Sequence, residues 1–114
     1  MMDVELISLL AARFKALADP GRLELLSTLF QGERSVGDLV ASTGRHQPNV
    51  SQQLARLAQA GLVSPRRDGN RVLYRLADPY LEKICEVMCE SVVSSDERAG
   101  IPRRGRRPGR DRRG

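Results

Sequence analysis

Most of the chain alternates amphipathic helical runs with short polar breaks. From residue 3 to 18, Val4, Ile7, Ala11, Phe14 and Ala18 recur at helical spacing, and Leu6, Leu9, Leu10 and Leu17 widen the stripe. A helix this apolar needs burial on more than one side, so it reads as a core helix or as one that also builds an interface. Asp19-Pro20 opens a second helix, cap first and proline at the first position. Leu23, Leu25, Leu26, Leu29 and Phe30 fill it, and Gln31-Gly32 ends it. Ser35 followed by Asp38 starts a short third helix, and Thr43-Gly44 stops it because Gly accepts the left-handed conformation of a helix end.

A fourth helix follows at once. Pro48 suits its first turn, and Val50, Leu54, Leu57 and Ala58 form its apolar face before Gly61 closes it. The other face carries Gln47, Asn49, Ser51, Gln52, Gln53 and Arg56, side chains of the kinds that meet base edges and phosphates.

The period then changes. Val63 to Arg67 and Arg71 to Leu76 flank Asp68-Gly69-Asn70, a hairpin signal. Val72, Tyr74 and Leu76 alternate with Arg71, Leu73 and Arg75, which predicts one packed face and one charged face. Pro65 keeps the first strand at an edge, and Arg66, Arg67 and Arg71 crowd the tip. The last helix is predicted from Asp78-Pro79 to about Val93, with Leu81, Ile84, Cys85, Met88 and Val92 as its stripe, and Ser94-Ser95 and then Gly100-Ile101-Pro102 are expected to stop it. A short helix, a reading helix and a basic-tipped hairpin describe a winged helix-turn-helix: a mainly α fold with one small β-hairpin.

Charge sharpens this picture. Residues 45–75 hold six Arg against Asp68, whereas residues 1–44 and 76–93 are net acidic. Positive charge concentrated on the fourth helix and hairpin favours a polyanionic partner, since an ordinary solvated face mixes signs. With 114 residues there is room for one domain, and its aromatic content is low enough that the core must be aliphatic. A domain of this size buries little, and dimerisation is a common way to add to it. There is no apolar run long enough to span a membrane and no secretory signal pattern, so a cytoplasmic protein with reduced thiols is expected.

Several separate motifs in order resemble the ArsR/SmtB family of small winged-helix bacterial repressors. They run from Phe14 to Leu26 (FKALADPGRLELL), from Gln47 to Leu54 (QPNVSQQL), from Ala60 to Val63, and from Asp68 to Arg71 with Tyr74. The resemblance covers roughly residues 4 to 92. It implies that the first helix also builds a dimer interface, and since the first and last helices carry more apolar surface than a monomer of this size can cover, a homodimer through both is expected on an imperfect inverted repeat in double-stranded DNA. Gln47, Ser51 and Gln52 align with positions that contact DNA in the family; with Asn49 and Arg56 from the same helix and Arg66, Arg67 and Arg71 at the hairpin tip, they are the candidate DNA-binding residues. The family often places metal-binding Cys at the start of the third helix, but Glu33 to Asp38 contains none. A second family site uses Asp and His on the last helix. Here Asp78 is followed by Tyr80, and no His lies beyond His46, so that site is absent too.

What remains is Cys85 and Cys89. At i and i+4 their β-carbons lie about 5–6 Å apart on one helix face, a spacing that lets two thiolates hold one soft ion. Trivalent arsenic or antimony is the favoured inducer, and no obligatory cofactor is expected. Reversible oxidation or persulfidation is the rival use, and plain packing of small apolar residues the bland one. His46, alone and just before the reading helix, suits a phosphate contact or solvent. No nucleophile elbow, phosphate-binding glycine loop or paired-carboxylate cleft suggests an enzyme. From Ser94 on, eight Arg with Gly and Pro predict a disordered arm over residues 94–114: either sequence-blind DNA affinity or a solvated tail. Two readings stay open: a repressor whose last-helix thiols sense an inducer, and a winged-helix protein, DNA-bound or acting through protein contacts, whose Cys are inert.

Overall fold

The structure, a computed structural model, describes residues 1–100. They form two units, residues 1–78 and the segment from Pro79 on. In the first, local chemistry sets the helix ends. Helix α1 spans Val4–Leu17, with Asp3 accepting from the Leu6 N–H. Helix α2 spans Pro20–Leu29, with the Asp19 carboxylate accepting from the Arg22 N–H at 3.0 Å. Helix α3 spans Val36–Thr43 behind a full capping box: the Asp38 N–H donates to Ser35 Oγ, and the Ser35 N–H donates to the Asp38 carboxylate. Its C-cap, Gly44, has φ +71°, the left-handed geometry anticipated. Helix α4 spans Gln47–Gln59, and Gly61 follows it at φ +77°.

The hairpin is part of a larger sheet. Strand β1, Arg34–Ser35, pairs antiparallel with β3, Arg71–Leu76, which also pairs antiparallel with β2, Val63–Asp68. The order β1-β3-β2 makes β3 central and leaves Pro65 on an edge, as expected. Asp68 pairs with Arg71, so the connection is Gly69-Asn70, with Gly69 at φ +63°.

One expectation about β3 is overturned. Its most buried side chain is Leu73, at 6 % exposure, from the face assigned to charge, while Val72, Tyr74 and Leu76 are only half-buried. Leu73 sits opposite Ser35 on one side and Arg66 on the other, and α2 and α3 both contact β3. The core thus takes a single residue from that face, with Arg71 and Arg75 exposed on either side of it.

The buried apolar side chains of this unit are aliphatic, as the composition requires: Leu25, Leu26, Leu29, Leu39, Val50, Leu54, Leu57, Leu62, Val63 and Leu73. Helix α1 contributes none. Val4, Leu6, Ile7, Leu9 and Phe14 remain exposed, so one copy of the chain does not bury the stripe.

In the second unit, helix α5 spans Leu81–Arg98. It begins two residues after the expected start, because Pro79 and Tyr80 form a turn, and it continues five residues past Val93. Ser94-Ser95 does not stop it. Serine is only a mild helix disfavourer, and the stop falls at Gly100, φ +75°, the second of the two expected stop signals. The helix therefore occupies residues 94–98 of the predicted arm, and the Arg-rich remainder lies outside the described residues. Leu81 is buried, whereas Ile84, Val87, Met88 and Val92 are exposed. Among the described residues, no helix is long and apolar enough to cross a membrane.

Candidate nucleic-acid interface

Helix α4 is divided lengthwise by its sequence. Val50, Leu54 and Leu57, spaced i, i+4, i+7, are fully buried and seat the helix against α2, α3 and β2. That anchoring leaves Gln47, Asn49, Gln52 and Arg56 exposed and Ser51 half-exposed. Gln47 Nε2 donates to Ser51 Oγ at 3.4 Å, one turn along. His46 is the N-cap residue without a side-chain capping bond, and it is exposed. Beyond Gln47 and Ser51 lies a groove of about 480 Å³, completed by Ser35, Val36, Gly37, Asn70, Arg71, Val72 and Tyr74. The reading helix and the wing therefore share one concave surface.

Gln53 leaves the set of outward-facing polar residues. Its Nε2 donates to the Asp19 carboxylate at 3.1 Å, and its Oε1 accepts from Arg22 Nη1 at 2.8 Å. Arg22 also donates through Nε to the Ala16 carbonyl at 2.6 Å, and through Nη2 to that of Lys15 at 3.3 Å. A single guanidinium thus caps the end of α1 and hooks α4 through Gln53. The Asp19 carboxyl is held below its ordinary pKa chiefly by the Arg22 backbone N–H, with the guanidinium charge, the Gly21 N–H and Gln53 adding to it against a smaller desolvation effect.

The wing arginines also differ from one another. Arg67 and Arg71 are exposed and make no ion pair among the described residues. Arg66 grips Glu33: Nε donates to one carboxylate oxygen at 2.7 Å and Nη2 to the other at 2.9 Å. Arg45, in the turn before α4, pairs with Glu24 of α2 at 3.0 Å. Two of the six Arg in the basic stretch are thus matched by acids from the net-acidic N-terminal segment. Charge segregation along the chain overstates the segregation in space.

On α5, Cys85 and Cys89 are half-buried thiols one turn apart. Burial pushes the Cys85 thiol up, and the neighbouring Cys89 adds to it. Among the described residues, no three His, Cys, Asp or Glu side chains are grouped to hold a metal ion.

A reading helix locked on one face, polar on the other and flanked by a basic hairpin defines a winged-helix DNA-binding protein. The chain belongs to the ArsR family of bacterial regulatory proteins, whose model matches residues 19–64. It is 40% identical over 96 residues to a probable mercury resistance operon repressor of Streptomyces lividans, covering 84% of this chain and 75% of that one. The crystal structure of Rv0081 from Mycobacterium tuberculosis superposes with a TM-score of 0.74 at 39% identity, covering 83% of this chain and 98% of that one. The solution structure of Mb0332 (fragment 1–100) from Mycobacterium bovis, a homodimeric winged helix-turn-helix DNA-binding domain, gives a TM-score of 0.72 at 31% identity over 92% of this chain and 97% of that one. The family is one of DNA-binding transcriptional regulators.

Proposed function

We propose that the protein is a homodimeric repressor that binds an imperfect inverted repeat in double-stranded DNA and leaves it when the thiols of α5 meet an inducer. One observation carries the DNA reading: α4 offers Gln47, Asn49, Ser51, Gln52 and Arg56 outward from a fully buried Val50-Leu54-Leu57 anchor, beside Arg67 and Arg71 of the wing. The amides suit base edges, and the arginines suit phosphates. Acting on DNA, the protein works in the cytoplasm. The exposed stripes of α1 and α5 support dimerisation through those helices, as does the homodimeric state of Mb0332. Two reading helices about 34 Å apart would then meet successive major grooves. The domain ends with α5, and the Arg-rich segment beyond it adds salt-dependent, sequence-blind affinity.

Cys85 and Cys89 supply two soft ligands on the helix assigned to the dimer interface. Trivalent arsenic or antimony, which accepts two or three thiolates, is the inducer this pair suits best, with the third thiolate coming from the second copy or from an exogenous thiol. The mercury resistance repressor among the relatives supports a thiophilic ion. An ion bound there would repack the subunits and change the spacing of the reading helices. A coupling of about 1–3 kcal/mol is enough to change DNA affinity 5- to 150-fold.

The test is a gel shift on the protein's own promoter, with wild type, Cys85→Ser, Cys89→Ser and the double variant. Arsenite, antimonite, mercuric ion and polysulfide are added in turn. Release of wild type by arsenite or antimonite, abolished by both substitutions, supports the proposal. Release by polysulfide alone transfers the role to redox sensing. A double variant that still responds, or a wild type that ignores every species, leaves the thiols as packing groups.

A further inference from the structure

Glu33 and Arg66 form the one forked ion pair among the described residues, with contacts of 2.7 and 2.9 Å. Glu33 stands just before β1 and Arg66 on β2, so the pair closes across the sheet from one edge strand's approach to the other edge strand. The fork that fits a carboxylate also fits a phosphate, because both present two oxygens to the same parallel N–H donors. The Arg66 hydrogen bonds hold the Glu33 carboxyl below its ordinary pKa, and the charges of Arg66 and Arg75 add to this, so Glu33 is anionic in the free protein at neutral pH. Both side chains remain partly exposed, Glu33 at 28% and Arg66 at 53%, so the pair is within reach of a third charged group.

We propose that Glu33 is an affinity-setting residue that competes with DNA phosphate for Arg66. This rests on the reading of the hairpin as a DNA-binding wing. When a phosphate approaches, Arg66 either releases Glu33 or stays with it as a neutral pair. In both cases a carboxylate is left beside the DNA backbone, and Arg66 delivers less than Arg67 or Arg71. The effect is blind to sequence, so it lowers attachment to arbitrary DNA and leaves discrimination to the side chains of α4. A carboxylate whose task was to brace the wing would act in the opposite direction, since removing it would loosen the hairpin and weaken binding.

The experiment measures fluorescence anisotropy on a duplex of unrelated sequence across a KCl series. The proteins are wild type, Glu33→Gln, Arg66→Ala, the Glu33→Gln/Arg66→Ala pair and Arg67→Ala, each checked for an unchanged fold by circular dichroism. Glu33→Gln is expected to bind roughly three- to fivefold tighter at low salt, the scale of one exposed ion pair, with a salt slope steeper by about one unit. Arg66→Ala alone is expected to change little, but in the Glu33→Gln background it removes the gain. Arg67→Ala is expected to weaken binding in either background. Unchanged or weaker binding by Glu33→Gln, while Arg67→Ala still loses affinity, overturns the competition and leaves the wing reading intact. Loss of no affinity in Arg67→Ala, or no binding by wild type, overturns the wing reading and this inference with it.

Discussion

Helices α4 and α5 both carry an apolar stripe at helical spacing, and the chain treats them oppositely. In α4 the large side chains of the stripe are fully buried, with Val50, Leu54 and Leu57 at 0% exposure. In α5 only Leu81 is buried, and Met88 stands at 57%, much as Phe14 of α1 does at 56%. The period of the hydrophobic pattern predicts a helix equally well in all three. What a single chain covers is a separate matter. The reading unit is complete within residues 1–78, whereas the faces of α1 and α5 are large apolar surfaces of the kind that mark an interface. Anchoring thus falls to α4 and the proposed assembly to α1 and α5, and substitutions in the two classes should fail differently.

The largest effect is expected where a stripe is already covered. Leu54→Ala removes a fully buried side chain from the centre of α4 and should destabilise the fold by about 2–5 kcal/mol. The measurement is the denaturant midpoint followed by circular dichroism. A shift no greater than that of an exposed-leucine control such as Leu23→Ala would show that α4 is not the keystone its burial implies.

Next comes the uncovered stripe. Met88→Glu places a charge on an exposed residue, so the isolated chain should keep its fold, while an apolar interface would have to desolvate a carboxylate. The dimer dissociation constant should rise at least about a hundredfold, roughly 2.7 kcal/mol. Sedimentation equilibrium is the readout. A wild type that is already monomeric at micromolar concentration, or a variant that dimerises as well as wild type, would remove α5 from the interface.

Legibility in the sequence followed the same divide between local and non-local causes. Helix starts at Asp19 and Ser35, and the stop at Gly44, were readable because caps act over three or four residues. Strand β1 was not, because two residues carry no periodicity and exist as a strand only through pairing with Tyr74 and Leu73. The length of α5 was misjudged by treating Ser94-Ser95 as a breaker, although weak propensities yield to context. The outward-facing polar set of α4 was legible by residue type and helical face, but type alone could not separate Gln52 from Gln53. Adjacent amides differ in role because Gln53 lies within reach of Asp19 and Arg22. Arg66 differs from Arg67 in the same way, through an acid 33 positions earlier in the chain.

That pair of glutamines sharpens the comparison within α4. Gln52→Ala, at an exposed position, should cost about 1–3 kcal/mol of operator affinity and relax base preference if Gln52 makes a bidentate base contact. Its thermal midpoint should not change. Gln53→Ala should lower stability by about 1 kcal/mol, the scale of a lost hydrogen bond, and leave the ranking of operator variants intact. A binding-site selection on both variants, together with melting curves, separates the two. Relaxed base preference in Gln53→Ala would return it to the reading set.

The smallest effect concerns acid. The Ser35 hydroxyl and backbone N–H hold the Asp38 carboxyl below its ordinary value of 3.8, with the charges of Arg71 and Arg34 contributing less. A carboxyl whose pKa is lower folded than unfolded binds protons more readily in the unfolded chain, so acid favours unfolding. The stabilisation is fully present above 3.8 and is lost as pH falls through the lower folded value. Asp19 behaves alike, held down mainly by the Arg22 N–H. Both residues cap helices that contribute buried side chains to the reading unit. Melting the unit between neutral pH and about pH 3 should therefore show a decline beginning near pH 4 that is shallower in Asp38→Asn, which keeps an acceptor for the Ser35 N–H but cannot titrate. Dimer formation at mildly acidic pH, above that range, should be the same in both proteins. Parallel melting curves for wild type and Asp38→Asn down to pH 3 would mean that the capping box contributes nothing to acid sensitivity.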